Sequence, residues 1–417
     1  MKVQHWLALG LVWACLGAAR AQTQEPCGTA LAVQKLTPEQ RRFLPGGQAF
    51  EQALRIGATQ HGTLCDSGTV YRIPVVFHVV HNGEPLGTGD NIPDARLQEQ
   101  IDILNQDYRR RPGSLGFNTD ARGADSWIEF YLACRDPQGN PHPGINRLNG
   151  QRDTWVLADN SLKDLISWPT ERYLNFWIAD IEGSGLGWAT FPASTLPGLP
   201  TTQGTDGVVI DRAAVGYSTT SRLYNKGRTA THEVGHWLGL LHVWGDGDCS
   251  ATDYCEDTPP QNGFFLQCPI PSALACPGEP APMQRNYLQY TPDTCMNIFT
   301  RDQVYRMRYV LCNTPERVTL RNQAPCTTNT QPRQQPLFQL LYTPGVAGQF
   351  RLAFAEAGRA RVVLYSADGK YLLDQTVEAD PSQQLNYNLS SFAAGTYALV
   401  VTQNGRQEVR RVVNRVR

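Results

Sequence analysis

Charge is scarce in this chain and almost balanced. Of its 417 residues only 18% are Asp, Glu, Lys or Arg, and the formal net charge is −1. Such a chain offers no electrostatic case for binding nucleic acid or an anionic membrane. Long apolar runs are missing too. The run from Trp6 to Ala19 is too short to cross a bilayer and no later stretch is long enough, so no transmembrane segment is expected. With Lys2 before it and Ala19-Arg20-Ala21 after it, that run has the layout of a secretory signal over residues 1–21, which places the protein outside the cell or at its surface. Histidine is also rare, at eight residues. A pair of them framing a glutamate as HExxH would arise by chance in on the order of one such chain in a hundred.

That pattern is nevertheless present, within His232 to His242, which reads HEVGHWLGLLH. In a helix His232 and His236 lie ~6 Å apart along the axis and ~40° apart around it, so both imidazoles leave one face. Glu233, between them, can hydrogen-bond a metal-bound water and act as its general base. Gly239 suits a left-handed helix end, and the chain turned there can bring His242 back as a third ligand. Three nitrogens leave a fourth zinc position open for water, as hydrolysis requires.

The full string HExxHxxGxxH resembles the metzincin metalloproteases, and its surroundings, GRTATHEVGHWLGLLHVWGD, resemble the pappalysin family and its ulilysin-like prokaryotic branch. The resemblance implies zinc on His232, His236 and His242, and proteins or peptides as substrates. It also carries a preference for Arg after the scissile bond.

Removing residues 1–21 leaves ten of the 11 cysteines, and an exported chain with so many thiols is expected to carry disulfides. Cys27 lies in Pro26-Cys27-Gly28-Thr29, similar to the C-G-T of pappalysin pro-segments, where the thiolate fills the open zinc position as a zymogen switch. An ordinary disulfide to Cys65 is the alternative. Residues 22–70 are taken as a removable pro-segment, polar and irregular from Leu36 onward.

The catalytic domain is expected over residues 71–321. It opens with the buried-strand run Tyr71 to Val80, followed by a helix with Leu97, Ile101, Leu104 and Tyr108 on one stripe. His78 and His81 are read as structural. Further strands are expected at Ile128–Ala133, Tyr173–Ile178 and Asp206–Asp211. Gly187–Pro192 resembles the edge strand lining the metzincin cleft, where an unpaired edge can hold an extended peptide; a plain sheet edge is the other reading. The whole describes an α/β, metzincin-type domain, a mixed twisted sheet with backing and active-site helices.

From Val243 to Tyr290 the chain is rich in Pro, Gly, Asp and Cys, so a loop-rich, disulfide-tied C-terminal subdomain is expected. The family resemblance pairs Cys249 with Cys276 and Cys268 with Cys295, and leaves Cys255 without a counterpart. It likens Asp253–Pro259 to a calcium loop in which Asp253, the Glu256 carbonyl and Thr258 supply oxygens; a solvated acidic loop is the alternative. Asn286–Asn297 resembles the Met-turn beneath the metzincin zinc, with Leu288 in the methionine's place, a nearly volume-conserving exchange. Tyr290 matches the family tyrosine that hydrogen-bonds the developing oxyanion. A helix opening at Phe299 should bury Val304, Met307 and Leu311, with Tyr305 beside them.

Residues 322–336 read as a linker and 337–417 as a small all-β sandwich, from strands at Gln349–Phe354, Ala360–Tyr365 and Thr396–Val401 with a turn at Asp368-Gly369. Its wording resembles the C-terminal sorting domain of type IX secretion, which implies the secretion machinery as a partner. Tyr342-Thr343-Pro344 departs from the usual Asn-Pro of that domain. The expectation is a secreted zinc endopeptidase made as a zymogen. A zinc-containing binding or adhesive protein and a hydrolase of non-peptide substrates are the other classes.

Overall fold

The first strand of the folded body, β1 (Tyr71–His81), is buried along almost its whole length. A strand covered on both faces is what a near-continuous Val, Ile and Phe run encodes, and such strands sit inside parallel sheets. β1 pairs in parallel with β2 (Ile128–Leu132), β3 (Ile145–Asn149) and β4 (Leu174–Ala179). β4 pairs in parallel with β6 (Gly207–Asp211), and β6 pairs antiparallel with the short β5 (Gly187–Ala189), which ends the sheet. The sheet is therefore mixed, and its one antiparallel strand is the strand beside the HExxH helix.

The computed structural model describes residues 26–60, 69–192, 204–218, 220, 221, 223–269, 275–322, 337–342, 348–366, 370–403 and 406–414. The expected signal, Cys65, Cys326, Thr343-Pro344, the turn at Asp368-Gly369 and all of the expected linker after its first residue lie outside these.

Three helices precede the sheet: α1 (Thr29–Gln34), α2 (Pro38–Arg41) and α3 (Gln48–Gln60). This corrects the expectation of an irregular segment. Few apolar residues mark the region, but Phe50 and Leu54 of α3 pack on Val310, and Leu44 packs on Phe191. α4 (Asp94–Tyr108) buries Leu97, Ile101, Leu104 and Tyr108 as their spacing requires, packing on β2 and on the helix carrying the histidines, α5 (Arg228–Trp237). Burying each such side chain contributes roughly 1.5–3 kcal/mol.

After α5, the described residues up to Thr300 hold no further helix or strand of length. The Cys249–Cys276 and Cys268–Cys295 disulfides tie this stretch together. Cys134 and Cys312 are also disulfide-bonded, whereas Cys27 and Cys255 are buried free thiols. The alternative reading of Cys27 as half of a disulfide with Cys65 is thus corrected. α6 (Arg301–Asn313) starts at a capping box in which Thr300 and Gln303 satisfy each other's backbone N–H groups. Val304, Met307 and Leu311 are buried, but Tyr305 is 44% exposed. One residue on from Val304 is a 100° step around the helix, enough to turn its ring to solvent.

The chain divides into two compact units, residues 1–325 and 326–417. In the second, two antiparallel sheets share one core. One sheet is ordered β10-β9-β12-β13, the other β11-β8-β7. Their strands are β7 (Phe338–Tyr342), β8 (Gln349–Phe354), β9 (Gly358–Tyr365), β10 (Tyr371–Ala379), β11 (Gln384–Asn388), β12 (Gly395–Gln403) and β13 (Arg406–Asn414). β8 alternates half-buried and buried residues along its length, the period of a strand with one face inward.

Candidate metal centre and substrate cleft

α5 is fastened at both ends. At its start the Arg228 guanidinium and the Thr231 hydroxyl both donate to the buried Asp107 of α4, and the Tyr108 hydroxyl donates to Thr231 O. At its end the Arg317 guanidinium stacks over Trp237 at 4.0 Å and pairs with Asp206. Gly239 then takes φ +86°, and a Cβ there would lie 2.8 Å from Val310 Cγ2, so conformation and space both call for glycine. This turn sends the chain back toward the helix.

The consequence is that three imidazoles converge. Nε2 of His232 lies 3.0 Å from Nε2 of His236 and 3.3 Å from that of His242, and the last two are 3.1 Å apart. Each Nδ1 faces an oxygen: Tyr287 O at 2.7 Å for His232, Leu240 O at 2.8 Å for His236, and Asp246 Oδ1 at 2.5 Å for His242. Those oxygens hold the proton on Nδ1, so three Nε2 lone pairs point at one spot. Burial, with the neighbouring imidazoles, lowers His232 to about 3 and holds His236 well below its ordinary value, so these two rings stay neutral. Converging lone pairs repel unless a cation lies among them. Tetrahedral zinc with bonds of about 2.0–2.1 Å to nitrogen spaces its donors by about 3.3–3.4 Å, close to what is seen. The donor set therefore fits a zinc ion.

Glu233 is 1% exposed. Burial raises its carboxyl to about 7, against the hydrogen bonds from Cys27 and Thr29. The Cys27 thiol shares a 4.8 Å cluster with the three histidines and is raised by burial and by the charge of Glu233. A cation among the imidazoles reverses that sense, because a coordinating thiol is deprotonated. Thr29 Oγ1 donates to Glu233 Oε2 at 3.0 Å and accepts from Ala189 N at 2.9 Å. Leu186 N donates to Pro26 O at 2.7 Å and Gly28 N to Gly187 O at 2.8 Å. Residues 26–29 thus lie along the outer edge of β5, running parallel to it. The edge expected over Gly187–Pro192 is a strand only as far as Ala189.

The floor is made by Asn286–Met296. Leu288 is fully buried, and a Cβ on Gly235 of α5 would lie 3.0 Å from its Cδ2. Tyr290 is 2% exposed, with its ring 4.9 Å from that of His242 and 5.8 Å from that of His232. Asp293 closes the cleft beside α5. Its Oδ2 accepts from Lys226 N and Arg228 N, while the buried Oδ1 has no hydrogen-bond partner among the described residues. Burial, opposed by those two N–H groups, raises Asp293 to about 6.

Of the expected calcium residues, Asp253 and Thr258 lie together: the Thr258 hydroxyl sits 2.8 Å from both oxygens of the buried Asp253. His78 lies apart from the metal cluster, held between Asn175 at 2.8 Å and Asn146 at 3.2 Å. Thr29, Asp246 and Asp293 escaped the sequence reading. Only Asp246 had a local signal, an acid four residues after the third histidine.

Two histidines and a buried glutamate on one helix, with a third histidine returned by the turn at Gly239, define a class, the zinc metalloproteases. Comparison with known proteins narrows it. The family described as Pregnancy-associated plasma protein-A matches residues 158–312, and the Secretion system C-terminal sorting domain matches residues 345–415. The extracellular metalloprotease of Pyricularia oryzae is 30% identical over 310 residues, 74% of this chain and 95% of that one. Extracellular metalloprotease 1 of Coccidioides posadasii is 31% identical over 63% of this chain and 86% of its own. Among solved structures, mature mirolysin of Tannerella forsythia in complex with a cleaved peptide is 39% identical. It has a TM-score of 0.54 and covers 61% of this chain and 97% of its own. A promirolysin point mutant is 34% identical with a TM-score of 0.57, covering 71% of this chain and 97% of its own. The chain belongs to the pappalysin family of metzincin metalloproteases and carries a type IX sorting tail. It is a secreted or cell-surface zinc endopeptidase made as a zymogen.

Proposed function

We propose that His232, His236 and His242 hold the zinc, that Glu233 is the general base, and that Tyr290 donates a hydrogen bond to the oxyanion. One observation carries this reading: three buried Nε2 atoms within 3.3 Å of one another, with Glu233 beside them. A bound zinc supplies the Lewis acidity that activates water and polarises the scissile carbonyl. Glu233 takes the proton from the attacking water and hands it to the leaving amine. The edge of β5 aligns the peptide by main-chain hydrogen bonds once residues 26–29 have left it. Asp293 selects the side chain after the cut. Its unpartnered, buried oxygen calls for a cation, which supports the Arg preference that the family resemblance implies.

Latency rests on Cys27 filling the fourth zinc position. Residues 1–21 form the signal, 22–70 the pro-segment, 71–321 the catalytic domain with its loop-rich C-terminal subdomain, 322–336 the linker, and 337–417 a sandwich that engages the secretion machinery. Promirolysin's wider coverage of this chain than mature mirolysin's supports a removable pro-segment. A calcium ion on Asp253, the Glu256 carbonyl and Thr258 is the reading for the acidic loop. It is supported by the Thr258 hydroxyl lying 2.8 Å from both oxygens of the buried Asp253 carboxyl.

The buried Glu233 weighs against an adhesive protein with a structural zinc, which would have no need of a base beside its ligands. Casein digestion by the activated protein tests the whole reading. Wild type should cleave it, while Glu233→Ala and chelator-treated protein should not. Equal cleavage by Glu233→Ala would overturn the assignment.

A further inference from the structure

We propose that Asp246 is a positioning residue for the metal centre: its carboxylate fixes the His242 ring so that Nε2 faces the other two imidazoles. The proposal rests on the reading of the three histidines as zinc ligands. What singles out Asp246 is a contrast among the three rings. His232 and His236 grow from α5, whose backbone fixes their directions, and their Nδ1 atoms meet neutral backbone carbonyls. His242 comes after the Gly239 turn and has no helix to hold it. Its ring is held instead by a stack on Trp244, 4.3 Å away and 8° from parallel, and by the Asp246 carboxylate.

A 180° flip about Cβ–Cγ returns the ring to the same plane and preserves the stack, so Trp244 cannot decide which nitrogen points inward. The hydrogen bond at Nδ1 does decide it, and a carboxylate does so more strongly than a carbonyl while making Nε2 a better donor. The backbone shows how the acid is brought there. Gly245 and Asp246 have φ +59° and +56°, two successive left-handed residues that curl the chain back beneath His242. L residues seldom adopt that conformation, so the surroundings must hold it. They do so at Gly245, where a Cβ would lie 2.6 Å from Thr252 N.

The test uses the full-length precursor, with zinc competed away by a chelator of known affinity and with cobalt substituted for its optical spectrum. Asp246→Ala should weaken zinc binding about 10–100-fold and alter the cobalt bands. Asp246→Asn can still accept from Nδ1 but lacks the charge, and should fall between Ala and wild type. Thermal unfolding of the metal-free proteins should be nearly the same for all three, which separates ring positioning from a general structural role. Zinc affinity within twofold of wild type in the Ala variant, with an unchanged cobalt spectrum, would overturn the proposal. If the Ala variant does not fold, an Asn variant equal to wild type overturns it instead. A wild-type protein without stoichiometric zinc would show that the underlying site reading had failed, a separate outcome.

Discussion

Glu51 and Arg306, 255 positions apart in the chain, meet as a two-pronged ion pair, with Nη1 to Oε2 at 2.7 Å and Nη2 to Oε1 at 2.9 Å. Both side chains are buried, and the guanidinium also donates to Gly239 O, in the turn that follows α5. The N-terminal segment is therefore anchored at two places, around Cys27 and Thr29 in the cleft and through α3 behind it. Removing one partner of such a pair leaves a buried charge uncompensated, at about 3–5 kcal/mol. Glu51→Gln should loosen α3 without touching Cys27. Hydrogen exchange on the precursor checks this: amides of α3 should exchange at least about tenfold faster. Unchanged protection would remove the anchor from the account.

The cleft anchor predicts two grades of latency. Cys27→Ala should give a precursor that hydrolyses peptides before any cleavage of its own chain. Thr29→Val keeps the thiol but takes one donor from the Glu233 carboxylate and leaves Ala189 N unsatisfied, costing about 1–3 kcal/mol for the unpaired buried group. That precursor should convert to mature enzyme faster than wild type and still be silent at the start. The rate of mature-band formation, followed beside peptide hydrolysis, separates the two.

Asp293 should set both specificity and its pH dependence. Asp293→Asn removes the charge from the pocket and should cost about 2–5 kcal/mol in kcat/KM for substrates with Arg after the cut. Substrates with Leu there should be far less affected. Because burial raises this carboxyl to about 6, it is charged above that pH and neutral below it. KM for Arg substrates should therefore rise as pH falls through about 6, while KM for Leu substrates stays level. Parallel profiles for the two substrates would be evidence against the assignment.

Leu288 predicts a small effect. It packs under Gly235 as a space-filling group, and Leu and Met have nearly equal volumes. Leu288→Met should change stability by less than about 1.5 kcal/mol and leave kcat within a few-fold, as thermal unfolding and steady-state kinetics would report.

The features legible in the sequence were those with a local period or a fixed spacing. The 4-3-4 spacing of Leu97, Ile101, Leu104 and Tyr108 states one buried helix face and the apolar run of β1 a strand covered on both sides, and the structure buries both. The histidines were legible because helix geometry alone brings two of them together. What stayed hidden needs two distant stretches at once. No pattern around Glu51 announces Arg306, and nothing near Asp293 says that its second oxygen lacks a donor. α3 is hard to see in the sequence because, among its described side chains, Phe50 and Leu54 carry the core contacts and polar residues lie between them.

The outer rim of β5 has a consequence beyond catalysis. While Pro26, Gly28 and Thr29 occupy the outward-facing groups of Leu186, Gly187 and Ala189, the sheet has no open border there on which a second molecule could add a strand. Residues 26–29, proposed above to hold the precursor latent, would thus also act as a solubility cover. Once they depart, copies of the mature protein compete with substrate for one another's borders, so crowding becomes a liability only after activation.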